Sequence, residues 1–256
     1  MNKEAFGEQI DLHGGGRDLI FPHHENEIAQ TEALTGKEFA KFWIHNGLIK
    51  VNGQKMSKSL GNSLLLADLL DKYSDEAIKY ALLQTNYRGD INITDDLFPM
   101  AEGHIRNFYK LLHTVYASNL LMTAEDEAAA KKIDEEFNAC MSDDFNTALA
   151  LSNLFGYAKE INKFLAEKDG KATAYAKQMQ KTYSLLGVLT REPEEYEALF
   201  AAEESSIPAD VQAVAEERWA ARQNRDWAKS DELRAKLAEM GYAVKDSKTG
   251  YELTKI

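Results

Sequence analysis

Residues 48–62 read Leu48-Ile49-Lys50-Val51-Asn52-Gly53-Gln54-Lys55-Met56-Ser57-Lys58-Ser59-Leu60-Gly61-Asn62. The run Leu48 to Val51 predicts a short strand, and Asn52-Gly53 predicts a tight turn at its end. Beyond the turn, Lys55 and Lys58 flank Met56 and Ser57 in a polar loop. Ammonium groups on such a loop can fold over a polyphosphate and neutralise the charge that builds up in phosphoryl or adenylyl transfer. A generic pair of lysines three apart reads as a solvated loop; the whole pentapeptide with Leu60-Gly61-Asn62 behind it is more specific.

The same kind of chemistry lies upstream. Gly14-Gly15-Gly16-Arg17-Asp18 follows Ile10-Asp11-Leu12, which reads as the end of a strand. Glycines let a nucleotide approach the backbone, and an Asp accepts from ribose hydroxyls, although a tight turn explains the same glycines. Pro22-His23-His24-Glu25-Asn26-Glu27 then enters a helix expected over Glu27 to Leu34. His23 and Glu27 are four apart, share a helical face, and either ligate one metal ion or make a surface contact. For His13 and His24, packing and substrate-facing roles both stand open, and His45, before Asn46-Gly47, is expected near the site.

Composition sets the frame around these motifs. The chain has 256 residues, 4 Pro, 1 Cys and a formal net charge of −12. Few prolines and abundant Ala, Leu, Glu and Lys predict a mostly helical protein. No apolar run is long enough to span a membrane, and the first residues lack a signal-peptide core, which points to a cytoplasmic protein. The single Cys140 rules out an intrachain disulfide framework and a Cys-rich zinc module. Ile105, Phe108, Leu112 and Tyr116 form one helical stripe, and Ala148, Leu151, Leu154, Phe155 and Ala158 another, as in an antiparallel bundle. Asp144 or Asn146 is placed to cap the second of these helices. Residues 191–207 read as an acidic linker. Helices are expected over Ala209–Asn224 and Asp226–Met240, with Gly241 as a stop and a hairpin around Lys248-Thr249-Gly250.

Lys55-Met56-Ser57-Lys58-Ser59 resembles the KMSKS loop of class I aminoacyl-tRNA synthetases. The stretch from Ile10 to Glu27, with its His13-Gly14-Gly15-Gly16 and Phe21-Pro22-His23-His24-Glu25-Asn26-Glu27 blocks, is similar to the most diagnostic segment of cysteinyl-tRNA synthetases. The resemblance extends over essentially the whole chain. It implies a mainly α protein with a partial α/β segment: the C-terminal part of a Rossmann-type catalytic domain (1–53), the KMSKS loop and stem-contact helices (54–95), a helical bundle (96–190), the linker, and a small α+β anticodon-binding-like domain (208–256). The implied reaction is ATP-dependent activation of cysteine, with Mg, followed by transfer to tRNA-Cys. Lys55 and Lys58 are the implied catalytic residues, and Gly16, Asp18, Met56, Ser57 and Lys58 the implied ATP-binding ones. His23 and Glu27 match two of four zinc ligands, the others being cysteines. That zinc takes the thiolate of the substrate cysteine, in keeping with the metal's preference for sulfur.

The sequence departs from this pattern in two ways. It contains no His-x-Gly-His motif, and its one cysteine falls in the predicted bundle. Met1 corresponds to the methionine of the family's Glu-Cys-Ser-x-Met segment, so the chain is expected to start just beyond a ligand cysteine and to lack the N-terminal half. Zinc binding is therefore expected to be weak or absent, and the chain alone is expected not to activate cysteine. Half a parallel sheet exposes an edge and an apolar face, so self-association or a separate N-terminal half is expected. At the other end, Arg218, Arg222 and Arg225 share a helix face near Trp227, and the resemblance implies contacts to tRNA there. Residues 205–256 carry nine basic and nine acidic side chains, so the whole acidic excess lies in residues 1–204. Two other readings compete: a non-catalytic tRNA-binding protein or one half of a split synthetase, and a ligase joining cysteine to a small amine, which would have no use for the C-terminal unit.

Overall fold

The computed structural model describes residues 2–56, 64–204, 208–224, 226–246 and 250–255. Ser57, Lys58 and Arg225 lie outside the described residues. The chain divides into two compact units, Met1–Pro193 and Glu194–Ile256.

The first unit opens with α1 (Asn2–Phe6) and then a β-α-β element: β1 (Ile10–Gly16), α2 (Glu25–Thr35) and β2 (Ala40–Asn46). β1 and β2 are parallel, with Ile10 opposite Ala40 and Gly16 opposite Asn46. A parallel pair needs a crossover, and α2 supplies it. α2 stops at Gly36, whose φ of 70° is the left-handed conformation that glycine adopts without a Cβ penalty. The glycine triplet does not follow the strand as the sequence suggests; it forms the end of β1. Its glycines make room for side chains. A Cβ on Gly15 would lie 2.8 Å from the His24 ring, and one on Gly16 would lie 2.6 Å from Asp18 Oδ1.

The expected strand and turn are present as a hairpin of β3 (Ile49–Val51) and β4 (Gln54–Lys55). Asn52 and Gly53 have φ of 48° and 81°, as a two-residue turn with positive φ at both positions demands. β5 (Ile91–Ile93) lies parallel to β3, giving the order β4-β3-β5. β5 also braces the turn: Asn52 N–H donates to Ile93 O at 3.0 Å and Gly53 N–H to Asn92 Oδ1 at 2.7 Å.

Between β4 and β5 come α3 (Leu66–Leu70) and α4 (Asp75–Leu83). After β5 come α5 (Leu97–Ala117), α6 (Ala124–Ala130), α7 (Lys132–Ser142), α8 (Thr147–Glu167) and α9 (Lys171–Tyr183). Ile105, Phe108 and Leu112 are buried along α5 as their spacing predicts. On α8 the buried stripe is Ala150, Leu151, Leu154, Tyr157 and Ile161, while Phe155 is 46% exposed and rests its ring against His104 and Phe108. Asn146 caps α8 by accepting from Leu149 N–H. Asp144, the other expected cap, instead accepts from Arg88 Nη2 and Tyr87 Oη at 2.9 and 2.7 Å. Asp144 and Phe145 both have positive φ, 51° and 54°, a strained pair for residues with side chains.

A buried carboxylate joins α4 to the end of this unit. Glu76 is fully buried and accepts from Tyr109 Oη at 3.0 Å, Leu189 N–H at 2.8 Å and Thr190 N–H at 3.0 Å. Burial pushes the Tyr109 hydroxyl far above the ordinary phenol range, so it remains a donor to that carboxylate.

The second unit holds α10 (Pro193–Glu204), α11 (Ala209–Gln223), α12 (Trp227–Glu239) and an antiparallel hairpin of β6 (Tyr242–Asp246) and β7 (Tyr251–Lys255). α10 occupies much of the stretch that reads as a linker. Val211, Val214, Ala215, Leu233, Leu237, Tyr242 and Val244 form this unit's core. Asp226 caps α12 through Lys229 N–H, and Gly241 turns the chain into β6 with a φ of 85°. Lys248 and Thr249, expected at the hairpin turn, lie outside the described residues.

Candidate functional site

The C-terminal end of β1, the turn after it, the start of α2 and the β3–β4 hairpin converge on one region. Gly16 ends β1 and Asp18 lies in the short helical turn Arg17–Leu19. Lys55 Nζ donates to Asp18 Oδ2 at 3.1 Å. Two candidate nucleotide residues that are 37 positions apart are thus in contact. Met56 continues the hairpin by donating its N–H to Ile49 O at 3.0 Å.

Beside them is a cluster of imidazoles. His24 is 4% exposed, and its Nδ1 lies 2.9 Å from His45 Nε2. Burial, reinforced by His13 and His45, pushes the His24 pKa down, so the ring is neutral and offers a lone pair. His13 projects from β1 with its ring 4.7 Å from that of Trp43, and its Nε2 lies 3.0 Å from Glu27 Oε2. Glu27 Oε2 is buried, yet no described group gives it a hydrogen bond of adequate geometry. His13, His24 and Glu27 bring their ligand atoms within 4.8 Å of one another. Two imidazole nitrogens and an orphaned carboxylate oxygen fit a zinc site of three protein ligands with one position open. His23, expected in that set, stands at the rim: its side chain is 61% exposed and its Nε2 is 3.7 Å from Glu27 Oε1. Cys140 is buried in α7, and burial pushes its thiol pKa up, the opposite of what a thiolate ligand needs.

In the second unit the arginine face divides. Arg218 is 1% exposed and bonded to Asp246 through both terminal nitrogens, at 2.8 and 2.9 Å. This corrects the expectation that it faces tRNA: its side of α11 turns toward β6, and the carboxylate there takes both terminal nitrogens inside the unit, while Nε is buried without a hydrogen-bond partner among the described residues. Arg222 reaches Asp246 at 3.4 Å and lies 5.5 Å over the Trp227 ring. Trp227 is 55% exposed, so this cation–π pair presents an aromatic face to solvent.

Three family models match in order along the chain. A model described as tRNA synthetases class I (C) catalytic domain matches residues 1–103, the DALR domain matches 136–190, and the cysteinyl-tRNA ligase anticodon binding domain matches 204–252. A cysteine–tRNA ligase of Azotobacter vinelandii is 42% identical over 98% of this chain, and one of Pseudomonas aeruginosa is 43% identical over 98%. The chain belongs to the cysteinyl-tRNA synthetase family. It spans about half the length of the curated relatives it matches, 52% and 53% of these two. Among solved structures it resembles in fold a LeuRS from Agrobacterium radiobacter, in complex with tRNA and LeuAMS, and a methionyl-tRNA synthetase of Mycobacterium tuberculosis bound by methionyl-adenylate. The first match has a TM-score of 0.58 at 17% identity, covering 74% of this chain and 26% of that one. The second has a TM-score of 0.52 at 19% identity, covering 69% of this chain and 41% of that one. No helix among the described residues is long and apolar enough to cross a membrane.

Within this synthetase-family chain, several site residues carried little sequence signal. His13 stood open between packing and a substrate-facing role, and the space opened for the His24 ring by Gly15 shows only in three dimensions. Asp90, which lies behind the Lys55 hairpin, belongs to no motif; Arg17 and Lys50 contact it.

Proposed function

We propose that this chain supplies the part of a cysteine–tRNA ligase that completes the nucleotide site and engages the tRNA. The contact of Lys55 with Asp18 carries this reading, because it joins a residue suited to hold ribose to the arm of the KMSKS-like loop. Asp18 accepts from the adenosine ribose hydroxyls, and Gly16 lets the base and sugar approach β1 closely. Lys55 and Lys58 neutralise the triphosphate of ATP with its Mg as cysteine's carboxylate displaces pyrophosphate, and Ser57 between them in sequence offers a hydroxyl to hydrogen-bond the nucleotide. Met56 anchors the loop to β3.

Zinc held by Glu27 with His13 and His24, and with His23 alongside, would supply a Lewis acid with affinity for the substrate thiolate. The protein's own share is to keep the buried His24 ring neutral and to hold Glu27 Oε2 without a hydrogen bond. Cobalt(II) reports the site without any turnover: tetrahedral absorption bands are expected on titration into the chain. Glu27→Ala should abolish them, and His23→Ala should weaken cobalt binding less than His13→Ala does. Equal loss in all three variants would return His23 to the ligand set on the same footing.

The purified chain by itself is expected to show no cysteine-dependent ATP–pyrophosphate exchange, and to gain exchange when the N-terminal half of a relative is added. Exchange by the chain alone would overturn the first expectation. For tRNA, Arg222 and Trp227 form the contact, with Arg225 beside them in sequence. A base stacked on an exposed aromatic gains about 1–3 kcal/mol, so Trp227→Ala should weaken binding of tRNA-Cys by about tenfold or more while leaving thermal stability unchanged. Unaltered affinity would remove Trp227 from the interface. The second reading, a tRNA-binding protein without catalysis, is favoured if tRNA binds with the usual steep salt dependence but no complementing half restores exchange.

A further inference from the structure

Asp90 immediately precedes β5, and its carboxylate reaches both sides of the nucleotide site from behind. Oδ1 accepts from the Leu48 N–H at 2.9 Å and lies 2.7 Å from Arg17 Nη2. Oδ2 lies 2.9 Å from Lys50 Nζ. Arg17 is the neighbour of Asp18, while Leu48 immediately precedes the strand arm of the hairpin and Lys50 lies in it, paired in register with Lys55. The direct contact between Lys55 and Asp18 has side chains 59% and 45% exposed, and an exposed ion pair of that kind is too weak to fix two segments. The Asp90 side chain is 19% exposed, against 48% for Arg17 and 39% for Lys50, and what sets it apart from the exposed pair is that it makes three contacts at once, one of them to a backbone N–H. Its backbone is also held: a Cβ on Gly47 would lie 2.0 Å from Gly89 O, so the chain before Leu48 and the chain before Asp90 cross in van der Waals contact.

We propose that Asp90 is a positioning residue for the nucleotide site, clamping the turn that carries Asp18 to the hairpin that carries Lys55 and so fixing the separation between the ribose-binding and phosphate-binding ends. The proposal rests on the nucleotide reading given above. The Leu48 N–H, with Lys50 and Arg17, holds the Asp90 pKa down to about 2, so the clamp stays charged under all working conditions.

A clamp that sets a separation acts on ligands that span both ends. It has little effect on a ligand that occupies one end. Affinity for ATP, for adenosine and for inorganic pyrophosphate is therefore measured by calorimetry on the full chain and on Asp90→Asn and Asp90→Glu. Asp90→Asn is expected to weaken ATP about tenfold, and adenosine and pyrophosphate each by less than about twofold, since only the spanning ligand gains from preorganisation. Asp90→Glu, which keeps the charge, should recover part of the loss. Undiminished ATP affinity in Asp90→Asn, or an equal loss for all three ligands, overturns the proposal. If the unaltered chain binds no ATP, the nucleotide reading fails, and the clamp is then judged by amide hydrogen exchange. Faster exchange at Asp18, Lys55 and Met56 in Asp90→Asn, with the α5–α9 bundle unchanged, supports it. Unchanged exchange at those three amides overturns it.

Discussion

Glu76→Ala is expected to destabilise the first unit by about 4 kcal/mol, because at least two buried donors lose their acceptor and each orphaned buried donor costs about 1–3 kcal/mol before the cavity is counted. The donors are the Leu189 N–H and the Tyr109 hydroxyl, both in fully buried residues. Leu189 has a φ of 58°, a conformation unfavourable for a leucine, and its N–H bond to Glu76 holds it there. Glu76→Gln keeps the volume but turns an amide NH₂ toward donors, so it should recover only part of the loss. Urea unfolding followed by circular dichroism reads the effect. A loss below about 1 kcal/mol for Glu76→Ala would show that water or a rearranged loop replaces the carboxylate.

Arg218→Ala should act on the other unit and through a different balance. Removing the arginine leaves Asp246 without its main partner in a partly buried place, and breaking a buried ion pair costs about 3–5 kcal/mol. Residues 194–256 form a small unit with a short core, where such a loss is a large share of the total stability. Melting of the hairpin and of α11 and α12 is therefore expected while the bundle stays folded, visible as separated transitions in residue-resolved hydrogen exchange. Loss of tRNA binding in Arg218→Ala would then follow from unfolding, in contrast to Trp227→Ala. Asp246 adds a dependence on pH. Its hydrogen bond with Arg218 lowers its folded pKa, so the stabilisation is complete above the ordinary carboxylate value and is lost as pH falls through the depressed one. The second unit should loosen in acid below about pH 4, and a unit equally stable at pH 3 and pH 7 would contradict the pairing.

What the sequence made legible is what neighbouring residues decide. Asn52-Gly53 announced the turn but not the second strand, Gln54–Lys55, which read as loop; Gly241 announced the end of α12, and apolar spacing the helices of the bundle, because turn chemistry and periodicity act over a few positions. α8 shows the limit. Phe155 fits the helical stripe as well as Tyr157 does, and only the neighbouring helices decide that Phe155 lies near the surface. The side of α11 that faces β6 likewise could not be read from the i, i+4 spacing of Arg218 and Arg222, which is the same whether a face is wet or dry. Glu76 and Asp90 resemble surface carboxylates in sequence, since their partners lie far away along the chain: 113 positions separate Glu76 from Leu189, and 42 separate Leu48 from Asp90. The His23–Glu27 pair was visible from helical spacing, whereas His13 joins Glu27 from another element.

The parallel pairing of β3 with β5 also bears on the order of events during synthesis. The β-α-β element of β1, α2 and β2 closes over a short stretch of chain and can form early. The hairpin carrying Lys55 is held by residues 91–93, so it gains its third strand only after the chain through α3, α4 and those residues has left the ribosome. Contacts of large sequence separation form slowly, because the intervening chain has to be ordered first. The arm that would reach the phosphates is thus translated before the strand that completes it. Its lysines stay outside any finished site until the segment from Asp90 to Ile93 has arrived.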